Sequence, residues 1–309
     1  MKRRWFASAS VVMLFVATLT FSSWADQVVT KEARQWAKKV LAEEKTLQVL
    51  PDRNTLGILY FQNKTEQPGL DPLQKGLALM LTTDLSNVKS LQILERIKLQ
   101  ALVEEMGLGV SGLVDPDTAP RVGKLLGAQW IVGGDILKIQ TARLEILSNL
   151  LDIPGQTIVG QPKVNGDLSD FFRMEKDLLV DLTKLLRIKL TPKEESDLMK
   201  PFSTNMEALF SLFRGIDASD RGEYEKAAGF YEKALREDPN IRVAPDALKE
   251  LQRLGRIAVR RKSRELLRSL RDETSLTDQL TPTEPAKREK IPKDVSPGPC
   301  QDCPFGRPK

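Results

Sequence analysis

Between residues 50 and 190 the chain alternates short apolar runs with stretches in which leucines recur every three or four positions. The first kind of pattern predicts buried strands and the second predicts amphipathic helices. TLGILYFQN, 55–63, is an apolar strand bounded by Asn54 and Asn63. After the polar loop KTEQPGLDP, the spacing of Leu73, Leu77, Leu81 and Leu85 predicts a helix over 72–87. LQILER, 91–96, is a second strand, and IKLQALVEEM, 97–106, a second helix. TAPRVGKLLG, 118–127, is a third helix closed by Gly127, and AQWIVGGDIL, 128–137, a third strand. ARLEIL sets Leu144 and Ile146 on one side and Arg143 and Glu145 on the other, the mark of a half-buried strand. QTIVGQPKV gives a fifth strand, weakened by Pro162. A long amphipathic helix over 168–190 follows, capped by Asp167 or Ser169, with Phe172, Leu178, Leu179, Leu182, Leu185 and Leu186 on one face. This alternation predicts an α/β domain, residues 51–195, with helices packed on a mixed sheet.

The flanks read differently. Residues 30–48 form an amphipathic N-terminal helix with Trp36, Val40 and Leu41 at helical spacing, within a segment 26–50. From Met206 the pattern is helical only, which predicts a second, all-α domain over 204–272. Residues 273–309 hold seven prolines and few large apolar groups, so this tail is expected to be disordered. The first residues, MKRRWFASASVVMLFVATLTFSSWADQ, carry a basic start, an apolar run from Ala7 to Phe21, and small residues at Ser23 and Ala25. They predict a signal peptide, 1–25, cut after Ala25. A retained membrane anchor is the alternative, but the run is short against the ~20 apolar residues of a spanning helix. No cysteine lies near the cut.

The charge and the reactive residues then narrow the chemistry. The formal net charge is +5, and three of those positives fall in the signal peptide, so the basic balance is no argument for nucleic acid. The chain contains no histidine, which removes the usual general base and metal ligand. The two cysteines, Cys300 and Cys303, sit in PGPCQDCPFG, where they read as a local disulfide or as two unpaired thiols. GLGVSG, 107–112, fits G-x-G-x-x-G. A phosphate loop must follow a strand and open a helix, whereas here a helix precedes it and Asp115-Pro116 signals a turn after it. Gly107 is therefore expected to cap a helix C-terminus. Acid pairs such as Glu104–Glu105 and Asp115–Asp117 show no sign of converging. We expect no enzymatic activity, no cofactor and no metal.

A family resemblance accounts for the glycine stretch. LERIKLQALVEEMGLGVSGLVDPDTAPRVGKLLGAQWIVGGDI, 94–136, resembles the signature of the CsgG family, the curli production assembly/transport component. In that signature a strand ends in ER, a helix carries LxxLLxEL, and GLSGLVD leads to A..GKLLGAD..VVGSV. LGILYFQNKTEQPGLDPLQKGLALMLTTDLSNV resembles the family's first strand, loop and helix. The resemblance implies a CsgG-like α/β fold and a role in curli-like secretion at the cell envelope. The pore-forming type implies a lipid anchor and barrel hairpins. This chain lacks the cysteine, and the 40 residues from Ala128 to Asp167 are largely claimed by the domain's own strands. A periplasmic protein, peripheral to the outer membrane, is therefore favoured over an outer-membrane channel subunit.

ALFSLFRGIDASDRGEYEKAAGFYEKALREDP, 208–239, resembles a tetratricopeptide (TPR) repeat, with Gly215, Gly222, Tyr224, Ala227, Tyr231, Ala234 and Pro239 at the repeat's offsets. One repeat cannot bury its own faces. Residues 243–272 are expected to supply the covering helix. The resemblance implies that Leu212, Ile216 and Ser219 line a peptide-binding concave surface, against the alternative that Leu212 and Ile216 are core. Residues 253–271 carry eight Lys/Arg and one acid, Glu265, either a solvated face or a contact with anionic envelope partners. The expected partners are other envelope proteins, among them secreted fibre subunits or outer-membrane components. Self-association is left open, and neither nucleic acid nor a small-molecule substrate is expected.

Overall fold

The computed structural model describes residues 27–45, 54–109, 118–139 and 143–257. The expected signal peptide, the Pro-rich tail, Cys300 and Cys303, and most of the basic stretch lie outside these residues. So do Gly112 and the Asp115–Asp117 pair.

Seven strands form one mixed sheet, and helices pack on both faces. The strands are β1 (Thr55–Ile58), β2 (Gln62–Lys64), β3 (Gln92–Ile93), β4 (Trp130–Lys138), β5 (Arg143–Asp152), β6 (Thr157–Gly160) and β7 (Lys163–Asp167). The order is β3-β1-β4-β5-β6, with β2 also on β4 and β7 also on β5. β1 is parallel to β3 and β4, and β2 is parallel to β4, while β5 runs antiparallel to β4, β6 and β7. The expected mixed α/β architecture is present, with several boundaries moved. The single strand expected over 55–63 is two, because the Phe61 N–H turns away to donate to the Gln74 carbonyl at 3.1 Å. The fifth strand is likewise two, β6 and β7, broken at Pro162, whose carbonyl accepts from the Ser148 N–H. β5 extends to Asp152, five residues beyond the alternating ARLEIL, because Ser148 and Leu150 stay buried beneath a helix.

The helices are α1 (Lys31–Ala42), α2 (Pro72–Leu85), α3 (Arg96–Glu105), α4 (Thr118–Leu126), α5 (Phe171–Leu185), α6 (Pro192–Leu198), α7 (Met206–Asp220), α8 (Tyr224–Glu237) and α9 (Ala244–Arg253). α5 stops earlier than the expected residue 190, where Arg187 takes a φ of 55°. Its first turn is a short 3-10 segment, Leu168–Asp170. α6 is an element the apolar pattern does not announce. It starts in a capping box, with Thr191 and Glu194 bonded reciprocally. The Glu194 carboxylate also accepts from the Lys89 N–H at 2.9 Å. Backbone donors from Thr191 and Lys89 hold that carboxyl down at about 2.

Gly107 ends α3 in the left-handed region, at φ 63°. Its N–H bonds the Glu104 carbonyl, and the Leu108 N–H bonds that of Val103. This is a Schellman closure, so Gly107 terminates a helix, as expected.

One sheet face is covered by α2 and α5. The other carries α4 against Ile131, with Gly123 pressed between Ile131 and Ile153. α1, α3 and α4 share a cluster of Ala33, Ala37, Ala101, Leu102 and Leu125, on which Trp36 packs. α7 and α8 form an antiparallel pair in which Gly215 faces the Tyr231 ring, and α7 lies along α2. At that second crossing Gly76 meets Phe213 so closely that an added Cβ would fall 2.2 Å from the ring. Gly76→Ala should therefore cost about 1–3 kcal/mol of unfolding free energy by overpacking. Gly69→Ala, with no atom near its added Cβ, should stay close to wild type in the same urea titration.

Candidate functional site

Among the described residues, the sheet face that carries α4 is only partly covered. Beside the first turn of α4, the floor of β4 and β5 opens into a groove of about 360 Å³. Gly133, Asn149 and Leu151 form its floor, Ala119 and Pro120 of α4 one wall, and Ile158 of β6 the rim. The strand register explains the composition. Gly133 pairs with Asn149 and Ile131 with Leu151, so these four share the α4 face. A glycine at 133 keeps the floor low. The β5–β6 turn bounds one end, where Gln156 sits at φ 50° and the Gly155 N–H donates to Asp152 Oδ2 at 2.9 Å. Across the floor Gln161 Nε2 donates to Asn149 Oδ1 at 2.6 Å. The groove thus offers apolar contact, the side-chain amides of Asn149, Gln156 and Gln161, and the Asp152 carboxylate. This composition suits an apolar side chain with a polar backbone beside it.

The residues singled out on α7 lie elsewhere. Leu212 and Ile216 are fully buried and Ser219 is 3% exposed. They are brought together on one helix face, and that face is packed rather than open to a ligand. The core alternative accounts for Leu212 and Ile216. Ser219 faces the same interior, near the Tyr231 hydroxyl.

Just beyond Ser219 lies a buried polar cluster that the sequence reading missed. Asp220, its side chain 1% exposed, receives Arg96 Nη1 at 3.0 Å and Lys75 Nζ at 2.8 Å. Arg96 Nη1 also donates to the Tyr60 hydroxyl at 3.1 Å, and Tyr60 donates to Gln100 Oε1 at 2.9 Å. Arg96 Nη2 reaches the Gln27 carbonyl at 2.8 Å. Burial disfavours the charged Arg96, but Asp220 together with Tyr60 and Tyr231 outweighs it and raises the guanidinium above its ordinary value. Burial pushes the Tyr60 hydroxyl upward as well. The signal was present in the ER at residues 95–96, where a strand gives way to a helix, but only the fold reveals its partner on α7.

A second buried cluster joins α2, α5 and the segment before α9. Asp84 is fully buried and receives Lys176 Nζ at 2.5 Å and Arg242 Nη2 at 2.6 Å. Glu175 is equally buried, and Lys176 Nζ stands 3.1 Å from its Oε2 as a charge contact without hydrogen-bond geometry. Burial, reinforced by the negative Asp84, pushes the Glu175 carboxyl up to about 8. Among the described residues, no group of three or more His, Cys, Asp or Glu is placed to hold a metal.

Two outcomes follow. Asp220→Asn leaves two buried cations short of a counter-charge and should cost about 3–5 kcal/mol. Asp217→Asn removes a half-exposed partner of Lys75 and should cost about 1 kcal/mol or less. Urea midpoints at neutral pH compare the two. The raised Glu175 carboxyl means the folded state holds a proton that the unfolded state has released above about 4.5. Stability is therefore expected to fall as pH rises from about 4.5 to about 8. Glu175→Gln should flatten that slope in a series of thermal melts.

The family model described as curli production assembly/transport component CsgG matches residues 37–142, about a third of the chain. No curated protein matches. Among solved structures, the LpoB C-terminal domain from Salmonella enterica is 12% identical, with 44% of this chain and 95% of that one covered and a TM-score of 0.31. The LpoB C-terminal domain from Escherichia coli is also 12% identical, covering 44% and 98%, at a TM-score of 0.30. Lipoprotein GNA1162 from Neisseria meningitidis is 11% identical, covering 45% and 99%, at a TM-score of 0.33. The chain is thus similar to CsgG over the segment that runs from α1 through β4.

Proposed function

We propose that this chain is a non-enzymatic protein of the cell envelope that acts by binding other proteins, in curli-like assembly or transport of secreted subunits. The match of residues 37–142 to the CsgG family model carries this reading. The groove beside α4 supports it by supplying a docking place within and next to the matched segment. Its floor of Leu151 and Gly133 accepts an apolar side chain, while Asn149 and Gln161 hydrogen-bond a neighbouring backbone. The α7–α8 pair serves as a TPR-type unit with α9 as its cover. Its inward residues are committed to packing, so binding on this part of the chain falls to its outer surface. The site of action is the periplasm, beside the outer membrane. Among the described residues no helix is long and apolar enough to cross a membrane.

In-cell crosslinking followed by mass spectrometry tests this. The wild-type chain should yield a defined envelope protein. Asn149→Arg, which fills the groove floor, should reduce that yield about tenfold, the loss expected of a central contact. Capture of no envelope protein, or capture indifferent to Asn149→Arg, would remove the docking role. A large species that forms only in detergent would favour a channel subunit instead.

A further inference from the structure

β6 and β7 hydrogen-bond to β5 alone, and among the described residues no strand pairs their outer side. An open edge of this kind is a template for another strand. Pro162 does not blunt it. Its carbonyl accepts from β5, at the Ser148 N–H. The N–H and C=O of one strand residue face the same way, so the donor that proline lacks would have pointed inward. The outward groups belong to Gln161, Lys163 and Asn165, and of these the Asn165 carbonyl already receives Arg173 at 3.4 Å. Ile158 and Val159 on β6 are 58% and 40% exposed.

α5 runs beside this edge and opposite to it in direction, with Leu185 over Gly160 and Met174 by Gly166. Its outward stripe is Arg173, Asp177, Val180 and Lys184, all exposed. A trough separates the stripe from Lys163, Val164 and Asn165.

We infer that the β6–β7 edge and the α5 stripe form a two-fold interface with a second copy of this chain. Charge order identifies the occupant. Two α5 helices crossing antiparallel about an axis between Val180 and Asp181 bring each Asp177, paired with Arg173 in its own helix, opposite Lys184 of the other copy, which is paired with Asp181 in its own, so that the pairs extend across the axis. The exposed valines then flank the axis. Shifting the axis two positions toward the helix start would instead set Arg173 against Lys184 and repel. With Asp181 included, the stripe balances two cations with two acids, so a strongly charged peptide gains nothing from it. The axis falls beside Lys163, and β6 of one copy then runs along β7 of the other, continuing the sheet. The interface is self-complementary, as a two-fold contact must be. It adjoins the groove at Ile158 and Gln161 of β6, but Asp177 and Lys184 lie outside the groove, so charge changes there leave partner capture untouched.

Sedimentation of the full chain over a concentration series tests this. The wild type should pass from monomer to dimer. Asp177→Lys sets lysine against lysine, and Lys184→Asp sets acid against acid. Each should weaken the dimer about tenfold, through two symmetric contacts. The double variant, Asp177→Lys with Lys184→Asp, should restore it. Lys163→Pro removes an outward N–H while sparing the β5 ladder, and should weaken the dimer too. A monomer at every concentration, a ring of higher order, or a dimer indifferent to the charge swap would overturn the inference.

Discussion

The fold turns on one buried carboxylate. Asp220 closes α7 and receives both Arg96 from the start of α3 and Lys75 from α2. Neither cation sits in the helical part, and the acid does not sit in the sheet part. Each cation alone would face a desolvation penalty of several kcal/mol. The cost falls only when the helical pair is seated. The contact is therefore better understood as selecting one docking geometry than as adding net stability. Apolar packing provides the driving force beneath it, at the crossing of Gly76 and Phe213 and beneath Leu212 and Ile216.

The Asp84 cluster repeats this logic at the other end of α2 with one more acid. Two cations reach Asp84, and Glu175 adds a second acid with no hydrogen bond of its own. Keeping Glu175 protonated is the cheaper state in that environment. The two clusters lie toward opposite ends of α2, from Lys75 to Asp84, and both bind segments that follow residue 170. This makes α2 the spine along which the sheet and the C-terminal helices are aligned.

Much of this was legible in the sequence, and the misses share a cause. Leucine spacing located α2, and the glycine at 107 announced its own role because only a short list of conformations suits it. Periodicity speaks about one face at a time. It therefore lost β5 at Ser148, where a polar residue is buried beneath a helix, and lost the break at Phe61, where the backbone finds a partner on α2. Thr191 and Glu194 carried a readable capping signal, but α6 has too few apolar residues to support a helix reading. The candidate site was the least legible feature. Among the described residues the groove lies beside the first turn of α4, over a Gly133 that has no side chain, and neither fact marks a site until the strand register sets Gly133 beside Asn149. The residues read as peptide-binding on α7 show the converse, since repeat offsets that let two helices approach also bury what lies between them.

The first described residues carry a consequence for how the chain is completed. The N–H groups of Gln27 and Val28 donate to the carboxylate of Glu250 on α9, across a separation of more than 220 residues. These two N–H groups therefore have no acceptor until α9 has been built, although Arg96 can already hold the Gln27 carbonyl. Domains that grow by local contacts can settle as they emerge, but these two N–H groups must wait for almost the whole of the described fold. A chain leaving a ribosome would carry this segment only half held through that interval. The latch would close as the last step, when α9 arrives.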